Sequence, residues 1–162
     1  MQVQMSEKLR TYLDDHEIRY VTVGHSPAFT AQELAAKVHV PGRAFVKSVM
    51  VRADGRHYLV ALSANQRLDL DKLRDFLDAR EIHLENEDEF RRLFEDCELG
   101  AMPPLGNLYG LPVIADRDLW DDDLIAFNAG THRYVIQMDF ADFQRLARPI
   151  RADVAVRSEV LA

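Results

Sequence analysis

Phe45-Val46-Lys47-Ser48-Val49-Met50-Val51, followed by Ala53-Asp54-Gly55-Arg56 and His57-Tyr58-Leu59-Val60-Ala61-Leu62, is the stretch that decides the fold. Two apolar runs flank an Asp-Gly pair, which suits a two-residue turn because both positions must take positive φ. The spacing predicts a β-hairpin. Alternation along the first run puts Phe45, Lys47, Val49 and Val51 on one face and Val46, Ser48 and Met50 on the other. Lys47 then needs an explanation. A buried ammonium costs several kcal/mol unless an anion or a cavity compensates it, so an inward Lys47 marks the wall of an anion-binding pocket. The competing reading is a lysine at a sheet edge, its stem packed and its head in solvent, which guards the edge against aggregation.

Working outward, Ser6-Glu7-Lys8-Leu9-Arg10-Thr11-Tyr12-Leu13 has apolar residues three and four apart behind a serine cap, and predicts an amphipathic helix ending before His16. Tyr20-Val21-Thr22-Val23 reads as a strand leading into His25-Ser26-Pro27. Thr30-Ala31-Gln32-Glu33 is a capping-box pattern that opens a helix stopped by Pro41-Gly42. Beyond the hairpin, residues 69–77 and 88–94 have helical spacing with early acidic residues. Leu99-Gly100-Ala101-Met102-Pro103-Pro104-Leu105-Gly106 is irregular, with two glycines and a Pro-Pro pair. Residues 111–115, 124–127 and 133–138 read as strands, the last entered through Gly130-Thr131-His132, and Asp139-Phe140-Ala141-Asp142-Phe143 begins a final helix. Helices and strands mingle without strict alternation or repeats, which predicts a single α+β domain over residues 1–162: a mixed, curved β-sheet with surrounding helices.

With 162 residues the chain can bury roughly two thirds of its unfolded surface and stand without staples. Cys97 is its only cysteine, so no internal disulfide is available. Flanked by Asp96 and Glu98, its thiolate is disfavoured, and it reads as structural. No signal-like or twenty-residue apolar segment is present, so the expected location is the cytoplasm, with no membrane partner. The formal charge of −7 opposes coating of long nucleic acid, so DNA is not expected and any RNA contact must be local. Lys37, Arg43 and Lys47 lie around the first hairpin strand, and Arg145, Arg148 and Arg151 gather near the C-terminus.

Three constellations could carry chemistry. The loop from Gly100 to Gly106 could offer backbone N–H groups to a carbonyl oxygen or phosphate; the same residues also suit a plain turn between helix and strand. His132 shares a face with Tyr134, Ile136 and Met138 and could position a water or hydroxyl, or be a satisfied core histidine. His25, beside Ser26 and Pro27, carries the same two readings. Neither histidine has metal-ligand spacing, and the phosphate-loop, dinucleotide and serine-hydrolase signatures are missing. No metal and no cofactor is expected.

Taken in order, His25-Ser26-Pro27 with its Thr-led helix, Gly42, Lys47 on the next strand, the Asp-Gly hairpin, Leu68-Asp69-Leu70-Asp71-Lys72-Leu73, the Gly100–Gly106 loop and Gly130-Thr131-His132 resemble the YbaK/prolyl-tRNA-synthetase-associated domain family. The resemblance runs from about Leu9 to Leu146. It implies the fold of the prolyl-tRNA synthetase editing insertion and a trans-editing activity, hydrolysis of the ester joining a wrong amino acid to the 3′ adenosine of tRNA. Lys47 falls on the family's strand lysine, Gly100 to Pro104 match its Gly-x-x-x-Pro element, and His132 matches a histidine that several members place before the final strand. Many alanine-specific relatives have asparagine where this chain has Ser48, a departure that leans toward serine- and threonine-clearing deacylases.

The resemblance implies a mischarged tRNA substrate carrying Ser, Thr or Ala, with Lys47, Gly100 and His132 as the catalytic set. His25, Ser48, Ala101, Met102, Pro104 and Gly130 would shape the substrate site. Lys47 would hold the terminal phosphate or ribose region, and the N–H groups of Gly100 and Ala101 would receive the carbonyl oxygen. An activated ester needs no covalent nucleophile, so positioning and oxyanion stabilisation can suffice. A synthetase or elongation factor could deliver the substrate to so acidic a protein. The competing classes are a catalytically silent module that binds aminoacyl-tRNA or a nucleotide, and a small-molecule esterase. The residues do not decide the oligomeric state.

Overall fold

The Asp-Gly hairpin forms in the register its sequence asks for. In the structure, a computed structural model that describes residues 5–26 and 30–157, strand β2 (Val46–Ala53) pairs antiparallel with β3 (Arg56–Ser63). Asp54 and Gly55 take φ of 48° and 82°, so the tight turn needs a residue tolerant of the left-handed region at both positions. Ahead of this hairpin lie α1 (Glu7–Asp15), β1 (Tyr20–Gly24) and α2 (Ala31–Lys37). Ser6 caps α1 by accepting from the Leu9 N–H, and Thr30 and Glu33 form a reciprocal capping box on α2. Pro27 of the predicted His-Ser-Pro element lies outside the described residues.

After the hairpin come α3 (Leu70–Leu77), β4 (Ile82–Leu84), α4 (Glu87–Phe90), β5 (Val113–Asp116), β6 (Leu124–Asn128), β7 (Tyr134–Asp139), α5 (Phe140–Ala147) and β8 (Ile150–Ala152). The helix expected over 88–94 is divided: α4 gives way at Arg91 to a 3₁₀ turn through Phe94, where Phe90 and Phe94 meet edge to face in the core. Strands β4 and β8 were not expected from sequence.

The mixed sheet has the order β4-β2-β3-β5-β8, with β3, β5 and β8 parallel and the rest antiparallel. A second, antiparallel sheet of order β1-β7-β6 meets it through one parallel bridge, Phe45 to Ala126. Alternation sorts the strand residues into three apolar layers. Val46, Met50, Leu59, Ala61, Val113 and Ala115 face Ile125, Phe127, Ile136 and Met138 between the sheets. Val51, Val60, Leu62 and Ile114 pack outward against Leu73 of α3 and Val154. Ala126 and Val135 pack on the far side against Leu34, Ala35 and Val38 of α2.

Asp116, at the end of β5, ties the last described segment to this frame. Its fully buried carboxylate accepts from the N–H groups of Val154 (3.1 Å), Ala155 (3.2 Å) and Asp118 (3.1 Å) and from Arg157 (3.1 Å). Burial alone pushes the carboxyl up, but the hydrogen bonds from Val154 and Asp118 and the Arg157 guanidinium prevail and hold it below the ordinary value. A carboxyl that titrates lower in the folded chain contributes stability above its unfolded value, 3.8, and loses it as the pH falls through the folded value. Asp116→Ala should therefore cost, in urea unfolding, about 1–3 kcal/mol for each buried N–H left without its acceptor, those of Val154 and Ala155, while Arg157 keeps Asp118 and Asp153 as partners. Acidification below pH 3.8 should erode the variant's stability less than the parent's.

Candidate active site

Two glycine-bearing bends are clasped together at one end of the inter-sheet core. The Glu98 N–H donates to the Gly130 carbonyl (2.8 Å), and the Gly130 N–H donates to the Ala101 carbonyl (3.0 Å). The Thr131 hydroxyl adds a 2.6 Å bond to Glu98. Gly130 has φ of 82°, and a Cβ there would lie 2.7 Å from the Ser6 Cβ and 3.4 Å from the Cys97 Sγ, so backbone angle and space both demand glycine. Gly100 is left-handed as well (φ 84°), and a Cβ on it would touch the His132 ring at 3.5 Å.

His132 is thus brought against the Gly100 bend. Its Nε2 lies 2.8 Å from the Leu99 carbonyl, which can only accept, so Nε2 carries the proton and Nδ1 of the neutral ring keeps a lone pair for a water or hydroxyl. The ring lines a cavity of about 720 Å³ with Arg91, Arg92, Cys97, Glu98 and Leu99 among its walls. His25 is joined alongside: its N–H donates to the Arg133 carbonyl (2.8 Å), continuing the β1–β7 ladder, and its Nδ1 meets the Ser26 carbonyl at 2.8 Å.

The rest of the loop is packed, not open. Ala101, Met102, Pro104 and Leu105 are buried, and Gly106 leaves no room for a side chain, since a Cβ would sit 2.7 Å from Val113. The Ala101 N–H is already committed to the Glu98 carbonyl (3.1 Å). This corrects the expectation that both neighbouring N–H groups would wait for an oxyanion. The Gly100 N–H faces only the Met102 thioether (3.3 Å), a weak acceptor that an ester oxygen can displace.

From β2 it is Ser48, not Lys47, that reaches the loop: its hydroxyl donates to the Met102 carbonyl at 2.9 Å. Lys47 leaves the strand on the opposite face, with Val49 and Val51, and its ammonium donates to the Gln66 carbonyl at 2.5 Å. Gln66 is in turn anchored to Asp118 through its side chain (2.8 Å). Partial burial lowers the Lys47 pKa. With one N–H engaged, the ammonium retains two donors for an anion or carbonyl. β4 covers β2 only from Val51 to Ala53, so the Lys47 end of the strand lacks that neighbour.

Among the described residues no group of three or more His, Cys, Asp or Glu side chains is arranged to hold a metal ion, and no helix is long and apolar enough to cross a membrane. Cys97 lies on the cavity wall, a placement that spacing alone did not reveal. Its Sγ is 3.2 Å from the Tyr109 hydroxyl, which donates to Asp96 (2.9 Å).

Comparison with known proteins identifies this assembly. Residues 25–146, which contain both bends, β2 and His132, match the aminoacyl-tRNA editing domain. The chain belongs to the aminoacyl-tRNA editing domain family. Its activity class is accordingly that of the aminoacyl-tRNA deacylases. The editing chain is 24% identical over 155 residues to the prolyl-tRNA editing protein ProX of Acetoanaerobium sticklandii, covering 91% of this chain and 93% of that one. It is 32% identical over 108 residues to the multifunctional Ser/Thr-tRNA deacylase ProXp-y of Escherichia coli, covering 66% and 64%. A crystal structure of a candidate trans-editing enzyme for prolyl tRNA synthetase shares the fold at a TM-score of 0.80 and 24% identity, covering 95% of this chain and all of that one.

Burial, with the neighbouring Asp96 charge, pushes the Cys97 thiol up to about 12, although the Tyr109 hydroxyl opposes the shift. At pH 8 the folded editing chain should therefore react with a thiol-specific disulfide reagent at least about tenfold more slowly than the urea-unfolded chain. Fast labelling of the folded chain would mean that the thiol is not shielded as described.

Proposed function

We propose that this editing chain hydrolyses the ester joining a small, wrongly attached amino acid, such as Ser, Thr or Ala, to the 3′ adenosine of tRNA. The observation that carries this reading is the seating of His132 against the Gly100 bend, beside a cavity and within the part of the chain that matches the editing family. The ester carbonyl oxygen would take the Gly100 N–H from the Met102 sulfur, and the His132 Nδ1 would accept a hydrogen bond from the attacking water. Addition of water to the carbonyl carbon and cleavage of its bond to the ribose oxygen release the free amino acid and restore the tRNA hydroxyl. The adjacent ribose hydroxyl of the tRNA would assist proton transfer. Cys97 takes no part, because its raised pKa leaves it protonated at neutral pH.

Lys47 is assigned to the phosphate or ribose of the tRNA end through its two remaining donors, from the other face of β2. Ser48 serves by holding the Met102 carbonyl, and with it the position of the Gly100 bend. Support for a small substrate comes from Ser48 at the position where many alanine-specific relatives have asparagine, and from the similarity to a Ser/Thr-tRNA deacylase. One methylene in an apolar pocket is worth only about 1–3 kcal/mol, so rejection of larger, correct amino acids must come from steric exclusion by the packed loop.

A panel of tRNAs charged with Ala, Ser, Thr, Cys and Pro tests the reading by release of free amino acid. Seryl-, threonyl- or alanyl-tRNA should be cleared fastest. His132→Ala should slow clearance about 100-fold, and Lys47→Ala should raise KM for the charged tRNA with kcat little changed, in variants that keep the parent's thermal unfolding midpoint. Retention of every charged tRNA without hydrolysis would leave a binding module instead.

A further inference from the structure

The C-terminal arginines noted in the sequence do not act together. Arg151 stacks over Trp120 at 5.4 Å, whereas Arg145 and Arg148 line a cleft of about 500 Å³ with Tyr12, His16, Asn107 and Leu146. Among the described residues no carboxylate lines this cleft, in a chain with 27 acidic and 20 basic residues. Arg145 is braced by Asp142 at 2.9 Å in an exposed pair of small energetic weight, and Arg148 makes no ion pair among the described residues. The Asn107 amide donates to the Tyr12 hydroxyl (2.9 Å), which leaves the hydroxyl proton free to point outward. The Tyr12 and His16 rings, 4.2 Å apart, form the adjoining wall.

We propose that this cleft is a second RNA contact, which binds a backbone phosphate of the tRNA acceptor end through Arg145, Arg148 and the Tyr12 hydroxyl. The inference rests on the aminoacyl-tRNA reading of the His132 site. What links the two is the 3₁₀ turn Gly106–Tyr109, which continues directly from the Gly100–Gly106 loop. Asn107 of this turn faces the cleft, and Tyr109 touches Cys97, a wall of the cavity beside His132. An acceptor strand whose 3′ end enters that cavity would run its upstream backbone along this turn toward the cleft. Two guanidiniums with a hydroxyl donor suit a phosphate, and the exposed His16 ring beside the half-buried Tyr12 ring suits a nucleotide more than a free anion. The contact positions the strand and reads no sequence.

The test compares Arg145→Gln/Arg148→Asn with the parent full chain; asparagine suits position 148, where φ is 47°. Binding of fluorescein-labelled, uncharged tRNA is followed by anisotropy across a salt series, and deacylation of mischarged tRNA is measured alongside. Hydrolysis of the same aminoacyl ester on a bare adenosine is the third readout. The variant should bind tRNA about tenfold more weakly, with a salt slope shallower by about 0.7 to 0.9, as the loss of one neutralised phosphate requires. KM for mischarged tRNA should rise with kcat held, and hydrolysis of the adenosine ester should be unchanged. Equal affinity and equal salt slope in the two proteins, or no tRNA binding by the parent, would overturn the cleft. If the parent binds tRNA through these arginines yet releases no amino acid from any charged tRNA, the deacylase reading fails while the cleft stands.

Discussion

The clasp between residues 98–101 and 130–131 is the constraint on which the site depends. Its backbone bonds link a bend that leaves the α4 region with the bend that enters β7, so two segments distant in sequence become one surface. Because it is made of main-chain groups, it specifies shape with little demand on side-chain identity. The exception is glycine at 130, where Ser6 and Cys97 close the space from outside. The order of causes then runs inward. Glycine permits the bend, the bend allows the clasp, and the clasp sets Leu99 and Gly100 against His132. The same geometry selects which ring nitrogen carries the proton.

Much of this was legible in the sequence. The Asp-Gly turn, the serine cap of α1 and the capping box of α2 are local chemistry, and each formed where its residues asked. Strands β4 and β8 were not legible, because three residues carry too little alternation and their pairing is decided by distant partners. The division into two sheets was hidden for a related reason: the joint is a single bridge between Phe45 and Ala126, far apart in sequence. At the site, glycine placement and family resemblance singled out two bends that the fold joins. The orientation of β2 toward them could not be read, since Val46 and Met50 on one face and Val51 on the other are all buried. A strand covered on both sides has no polar face to announce which way its lysine points. The commitment of the Ala101 N–H was likewise invisible, because a backbone donor's partner is a tertiary fact.

Electrostatically, most of the notable cations are occupied at home. Lys37 donates to the Gly24 carbonyl, Arg43 pairs with Asp122 at 2.9 Å, and Lys47 holds the Gln66 carbonyl. These contacts fasten loops to the frame and reduce what is available to an outside anion. In a chain of formal charge −7, attraction to RNA must then come from short-range donors at defined spots.

The bonds that define the site span long loops: 54 residues separate Ser48 from Met102, 33 separate Leu99 from His132, and 90 separate Ser6 from Asp96. Closing loops of this length is entropically demanding and is rewarded only when the whole topology is in place. A nascent or partly denatured chain consequently possesses neither the bend nor the oriented imidazole. The assembled site is thereby a property of the native population alone.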